Sequence, residues 1–117
     1  MYKDDVLTSL CHEWQKRLRL QDWDVEARYV KYYEMKSEHA DGECDYVFSR
    51  KSACINILCA EDCPEPMDVE EVLVHELLHL HFAEWTERHD ECPVSGEQAL
   101  DAIASALVRL KKEATGN

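Results

Sequence analysis

The spacing of apolar and polar positions predicts one helix followed by three strands in the first half of the chain. Apolar residues recur at helical spacing over residues 3–20, which indicates an N-terminal amphipathic helix. Residues 23–35 alternate between apolar and polar positions, as expected for a half-exposed strand. Residues 43–49 and 53–59 are short runs rich in strand-forming residues, and the brief polar link between them predicts a hairpin.

Two helices are predicted in the second half. The segment 68–86 is apolar nearly all round, so we expect its helix in the middle of the domain. Asp68, followed three residues later by Glu71, is a capping-box signal for the start of this helix. Ser95 and Gln98 form a second capping box, and the helix that they begin is predicted to run to about residue 112.

These elements together predict an α+β fold: an N-terminal helix, a small three-stranded, mostly antiparallel sheet, a central helix and a C-terminal helix. A chain of 117 residues suits one domain with a modest core, so residues 1–117 are interpreted as a single domain. The strand at 53–59 leads into the central helix and is placed at the rim of its cleft. There it is either an ordinary sheet strand or one that pairs with an extended peptide.

The net charge of the chain makes some classes of binding partner unexpected. The chain has 13 Lys and Arg against 25 Asp and Glu, a formal net charge of −12. Nucleic acids and anionic membranes attract basic surfaces, so neither is expected as a partner. The polar N-terminus lacks the features of a signal peptide, and no apolar run reaches membrane length, so a cytoplasmic protein is expected.

The six cysteines are interpreted as free thiols. Their even number would fit disulfides in a secreted protein, but the absence of a secretory segment argues against that interpretation. Cys59 and Cys63 lie four residues apart and flank two acidic residues, which is a weak signal for a second metal site. Free and mostly buried thiols remain the expectation.

Metal-binding chemistry is indicated by the central helix, which contains His75-Glu76-Leu77-Leu78-His79. Residues four apart lie on the same side of a helix, so His75 and His79 can hold one metal ion between them. Glu76 follows about 100° round the helix, where it can reach a metal-bound water without binding the metal. A short pattern of this kind also occurs by chance, but two histidines in so apolar a helix need partners.

A catalytic zinc usually has three protein ligands, so a third residue is required. His81 follows His79 by two residues and faces away. His89 lies in the polar stretch after the central helix and remains a candidate. Glu97 is the stronger candidate, since it opens the last helix and has Asp101 one turn below it on the same face.

The combination of His75-Glu76-x-x-His79 with Glu97-x-x-x-Asp101 on a second helix resembles the gluzincin zinc metallopeptidases. The small size of the chain and the order of its helices and strands are also similar to those of the minimal gluzincins and the ImmA/IrrE-type peptidases of bacteria and phages. The resemblance implies a zincin-like fold with Zn²⁺ bound by His75, His79 and Glu97. It also implies that Asp101 hydrogen-bonds one of the histidine ligands.

The expected function is hydrolysis of peptide bonds in a protein or peptide substrate by a metal-activated water, with Glu76 as general base. The alternative is a non-catalytic module stabilised by zinc, or an acidic decoy for a basic partner protein. The net charge motivates this alternative. So does the lack of a clear match for the tyrosine or histidine that stabilises the transition state in the large gluzincins.

Overall fold

The computed structural model describes residues 3–89 and 94–116. Within these residues the chain forms four α-helices, three strands and short 3-10 helices in the connections. The 3-10 helices are Tyr32–Glu34, Phe48–Arg50 and Ala60–Asp62. The main elements are α1 (Asp4–Arg17), β1 (Asp24–Val30), β2 (Gly42–Val47), β3 (Ser52–Leu58), α2 (Val69–His81), α3 (Ala83–His89) and α4 (Val94–Ala114).

The predicted α+β architecture is confirmed, with one correction to the sheet. Its strand order is β1-β3-β2, so β3 occupies the centre. The β2–β3 pair is the predicted antiparallel hairpin, whereas β1 runs parallel to β3. The sheet is therefore mixed rather than mostly antiparallel, because β3 inserts between two strands that precede it in the sequence.

The central position of β3 also overturns the idea that this strand pairs with a peptide. Both of its edges are already hydrogen-bonded, to β1 on one side and to β2 on the other. An added strand needs a free backbone edge. The strand is therefore an ordinary sheet strand, and Ile55 and Ile57 on it are fully buried in the core.

Helix α1 ends at Arg17, three residues earlier than predicted, because the chain turns there. Arg19 takes a left-handed conformation with φ of 60°. The buried side chain of Gln15 closes the turn, since its Nε2 donates to the carbonyls of Leu20 at 3.1 Å and Trp23 at 2.8 Å. These bonds hold the end of α1 against the start of β1.

Helix α2 lies in the middle of the domain, as predicted, and contacts the sheet, α1 and α4. The cap at Asp68 is confirmed, because its Oδ1 accepts a hydrogen bond of 3.1 Å from the backbone N–H of Glu71. The helix stops at Phe82, which is 47% exposed. The chain then continues as α3 to His89, where a loop had been expected after Trp85.

Helix α4 begins at Val94, one residue before the predicted cap at Ser95. In the sequence, Leu100, Ile103, Leu107 and Leu110 form an apolar ridge on this helix, and the ridge is only partly buried, since Ile103 is 43% exposed and Leu110 60% exposed. The helix also buries part of a second stripe, whose small residues at Ala104 and Ser105 indicate from the sequence that another helix can approach closely. The buried face comprises Leu100, Ala104 and Val108.

A buried carboxylate joins three of the helices. Glu70 on α2 is 3% exposed, and its Oε2 accepts hydrogen bonds of 2.6 Å from Trp14 Nε1 on α1 and from Lys111 Nζ on α4. Partial burial disfavours the charged form of Lys111, but its hydrogen bonds to Glu70 and Glu13 outweigh this and raise its pKa. The pair is therefore charged and fixes α1 and α4 to the central helix.

The cysteines described by the structure are free, as predicted, but Cys11 alone among them is buried, so the expectation of mostly buried thiols is wrong. Cys92 lies outside the described residues. Burial raises the pKa of Cys11 to about 11, so this thiol stays protonated in the core. In the part of the chain that the structure describes, none of the helices combines the length and apolar character needed to cross a membrane.

Replacing Glu70 by glutamine tests the role of this ion pair. The amide keeps the shape of the side chain but leaves the ammonium of Lys111 without its buried carboxylate partner. We expect a loss of about 2 kcal/mol in the free energy of unfolding, measured by urea titration. Glu26→Gln, on the exposed face of β1, removes the same charge and should cost less than about 0.5 kcal/mol. Equal losses in both variants would show that net charge is responsible.

Candidate metal centre

Helix α2 places His75, Glu76 and His79 together on the side that faces α4. The two imidazole rings lie 5.2 Å apart between centroids, with 61° between their planes. One potential ligand atom from each of the three residues lies within 4.8 Å of the others. This His-Glu-His group could hold a metal ion, because the four-residue spacing of the histidines brings both rings to one site.

Helix α4 brings the carboxylate of Glu97 to both histidines. Glu97 Oε2 lies 2.9 Å from His75 Nε2, and Oε1 lies 3.0 Å from His79 Nε2. The two ring nitrogens therefore point at the same carboxylate. Glu97, which the sequence predicts as the third ligand, therefore contacts both histidines, although it lies eighteen residues after His79 in the sequence.

Asp101 engages the opposite side of the His75 ring. Its Oδ1 lies 2.7 Å from His75 Nδ1, while its side chain remains 77% exposed. Both nitrogens of His75 thus face carboxylates that lie one turn apart on α4. This arrangement fixes the ring orientation and directs Nε2 toward the centre of the site.

Burial sets the protonation behaviour of Glu76. This carboxyl is 7% exposed, and desolvation raises its pKa to about 7; nearby Glu97 adds to the rise and His75 opposes it. The pKa of His79 is lowered, mainly by burial. Burial also opposes protonation of His75, but the charges of Glu76 and Asp101 outweigh it and raise the pKa. The site therefore combines one imidazole that favours the neutral form with an acid that exchanges its proton near neutral pH.

The start of β2 forms the other wall of the site. A Cβ atom on Gly42 would lie 2.6 Å from Val72 Cγ1 and 3.4 Å from Glu76 Oε2. Glycine therefore lets the strand approach α2 at the level of the acid. In the sequence, the Asp41-Gly42 pair is a turn signal, and it does not indicate that this glycine contacts the central helix.

An open cleft of about 460 Å³ lies between the start of β2 and the facing sides of α2 and α4. Its walls carry carboxylates and small side chains, so a polar chain can enter from solvent. The lining residues are Asp41, Gly42, Glu71, Val72, His75, Glu76, Glu97, Asp101, Ala104 and Ser105.

The other candidate ligands are arranged differently. His81 Nε2 lies 2.7 Å from the carbonyl oxygen of Leu18, away from the site. The side chain of His89 is outside the described part of the structure. Cys63 Sγ donates to the carbonyl of Cys59 at 3.3 Å. Among the described residues, no group with the spacing of metal ligands includes Cys59 or Cys63, so the second site considered there has no support.

Comparison of the chain with protein-family models, with curated proteins and with solved structures finds no match. The function must therefore be argued from the site itself.

Substituting Gly42 by alanine tests the contact between β2 and α2. The new methyl group overlaps Val72, so we expect a loss of about 1–3 kcal/mol in unfolding free energy. In the double variant with Val72→Ala, the missing Cγ1 makes room for the methyl group. The two losses should then be non-additive, with the double variant more stable than their sum predicts. Simple additivity in urea unfolding would contradict the close approach.

Proposed function

We propose that this protein is a small zinc-dependent metallopeptidase that hydrolyses peptide bonds of a protein or peptide substrate. The carboxylate of Glu97, set between the Nε2 atoms of His75 and His79, is the observation that carries the proposal. Two imidazoles and one carboxylate are a donor set used by catalytic zinc sites, which keep a further position open for water.

The spacing of the donors supports an ion among them. Zinc bonds to nitrogen and oxygen ligands are about 2.0–2.2 Å long, so tetrahedral ligands lie about 3.3 Å apart. Glu97 presents a different oxygen to each ring, Oε2 at 2.9 Å from His75 Nε2 and Oε1 at 3.0 Å from His79 Nε2, so a small outward movement of the rings would admit the ion. The mixture of imidazole and carboxylate favours zinc over calcium or magnesium, which prefer oxygen ligands alone. When bound, zinc would polarise the scissile carbonyl and acidify a water molecule.

Glu76 is the general base in this proposal. Its carboxyl is 7% exposed and lies beside the two histidines, where burial favours uptake of a proton. It would accept the proton of the attacking water and deliver it to the nitrogen of the leaving amine. The proton released when the new C–O bond forms is then consumed when the C–N bond breaks.

Asp101 acts through His75 and is a positioning residue. By accepting a hydrogen bond from Nδ1–H it would keep the imidazole in the tautomer whose Nε2 lone pair is free to bind a metal.

A zinc-stabilised binding module remains the second candidate. The same residues join the central helix to α4, so an ion bound there would hold the two helices together whether or not it hydrolyses peptides. The two functions differ in their dependence on Glu76, since a purely structural site needs no base.

Zinc affinity, measured by competition with a chromophoric chelator, tests the ligand set. We expect His75→Ala and Glu97→Gln to abolish tight binding, because each removes one of three ligands. Asp101→Asn should weaken binding about 10- to 100-fold by disturbing the orientation of the ring. His81→Gln, on the same helix but outside the site, is the matched control and should bind as the parent does. Tight binding retained in Glu97→Gln would contradict the assignment of Glu97.

Cleavage of casein, an unstructured protein, followed by mass spectrometry, separates the two functions. Glu76→Gln should keep its zinc yet lose activity by about 10²-fold or more, because the water proton has no acceptor. Loss of zinc in this variant would instead identify Glu76 as a ligand. A parent protein that binds zinc and cleaves no peptide bond would favour the binding module.

A further inference from the structure

A second concavity, of about 680 Å³, opens beside the candidate metal centre. It lies where β3 ends and where the preceding loop enters β2. Asp41 lines both this concavity and the cleft at the histidines, and its carbonyl accepts a 2.8 Å hydrogen bond from the N–H of Leu58. A substrate held in the cleft against Gly42 is therefore adjacent to this second space.

The walls of the concavity are partly apolar. Met35 and Leu58 provide aliphatic surface, and the ring of Tyr32 borders the opening. Tyr32 is 69% exposed, and Tyr33 supports it in an edge-to-face contact with centroids 5.5 Å apart. The aromatic face is thus available to a ligand, although large aromatic side chains are usually more buried.

Carboxylates surround these apolar surfaces. Glu38, Asp41 and Asp62 all line the space. Asp62 Oδ2 accepts a hydrogen bond from the backbone N–H of Tyr32 at 2.8 Å, a neutral donor that leaves its charge in place. Of the nearby lysines, Lys36 pairs with Asp45, whereas Lys31 pairs with Glu61 and also interacts with the charge of Asp62. The negative potential of the concavity therefore comes mainly from Glu38 and Asp41.

We propose that this concavity is a subsite for an arginine side chain of the substrate, an inference that rests on the proposed peptidase function. The aliphatic stem of arginine would pack on Met35 and Leu58. Its planar guanidinium would stack on Tyr32 and donate to the surrounding carboxylates. Acidic side chains would be repelled there. The net charge of −12 would also attract a basic substrate from a distance.

The test compares two peptides that differ at one position, arginine in one and citrulline in the other. Citrulline has nearly the same shape but no charge. Binding is measured by fluorescence anisotropy to the Glu76→Gln protein with zinc added, so that cleavage does not interfere. We expect the arginine peptide to bind about tenfold more tightly, with the difference decreasing as salt is raised. Backbone amide NMR shifts should move at residues 32–41.

Single substitutions in the concavity test whether the preference for arginine over citrulline arises there. Glu38→Gln should reduce the preference for arginine about threefold without weakening citrulline binding, and Asp41→Asn, which also borders the cleft, should reduce the preference by a similar factor. Glu26→Gln, an exposed acid on β1, is the matched control and should leave the preference unchanged. An unchanged preference in both pocket variants would overturn the assignment to this concavity, provided that circular dichroism shows them folded.

The outcomes separate this inference from the proposed function. If the parent protein cleaves peptides but binds the arginine and citrulline peptides equally, the subsite is wrong and the peptidase stands. If arginine is preferred in binding while nothing is cleaved, the peptidase is wrong and the arginine site stands. Failure to bind either peptide would overturn the subsite.

Discussion

The engagement of His75 on α2 by two carboxylates of α4 is the contact on which the rest of the site depends. The central helix buries Leu73 and Leu77 completely among its neighbours, and it presents the imidazoles of His75 and His79 to α4. Buried imidazoles and acids are costly without partners, and α4 supplies those partners from one of its faces. The small side chain of Ala104 lets that face come near enough for the bonds to form.

The balance of charge at this contact favours a bound cation. Three carboxylates, Glu76, Glu97 and Asp101, converge on two imidazoles, and the pKa of one of those imidazoles is lowered by burial. Without an ion, the repulsion among the acids is relieved by protonating Glu76 or His75. A divalent ion would relieve the same repulsion while leaving both rings neutral, and this supports the proposal that the site is built for a metal.

Local features were predictable from the sequence, and contacts between distant segments were less so. The shared side of His75 and His79 follows from helix geometry alone, and the turn spacing of Glu97 and Asp101 likewise places them on one face. The strand order did not follow, because alternation predicts a strand without naming its neighbours. The close approach of a helix to α4 could be predicted from its small side chains at Ala104 and Ser105, whereas the exposure of Ile103 could not, because an apolar side chain is expected in the core.

One buried acid connects the cleft to the neighbouring concavity. Glu43 on β2 is 8% exposed, and its carboxylate accepts hydrogen bonds from the backbone N–H groups of Lys36 and Ser37, each at 2.9 Å, and from Asn56 Nδ2 at 2.7 Å. These bonds fix the loop that walls the concavity to the strand that begins at the cleft. Because side chains alternate along a strand, a slip of one residue would turn Glu43 away and displace Gly42 from α2. The register of β2 therefore sets the position of the proposed arginine subsite relative to Glu76, the proposed base, and a slip of the strand would disturb both.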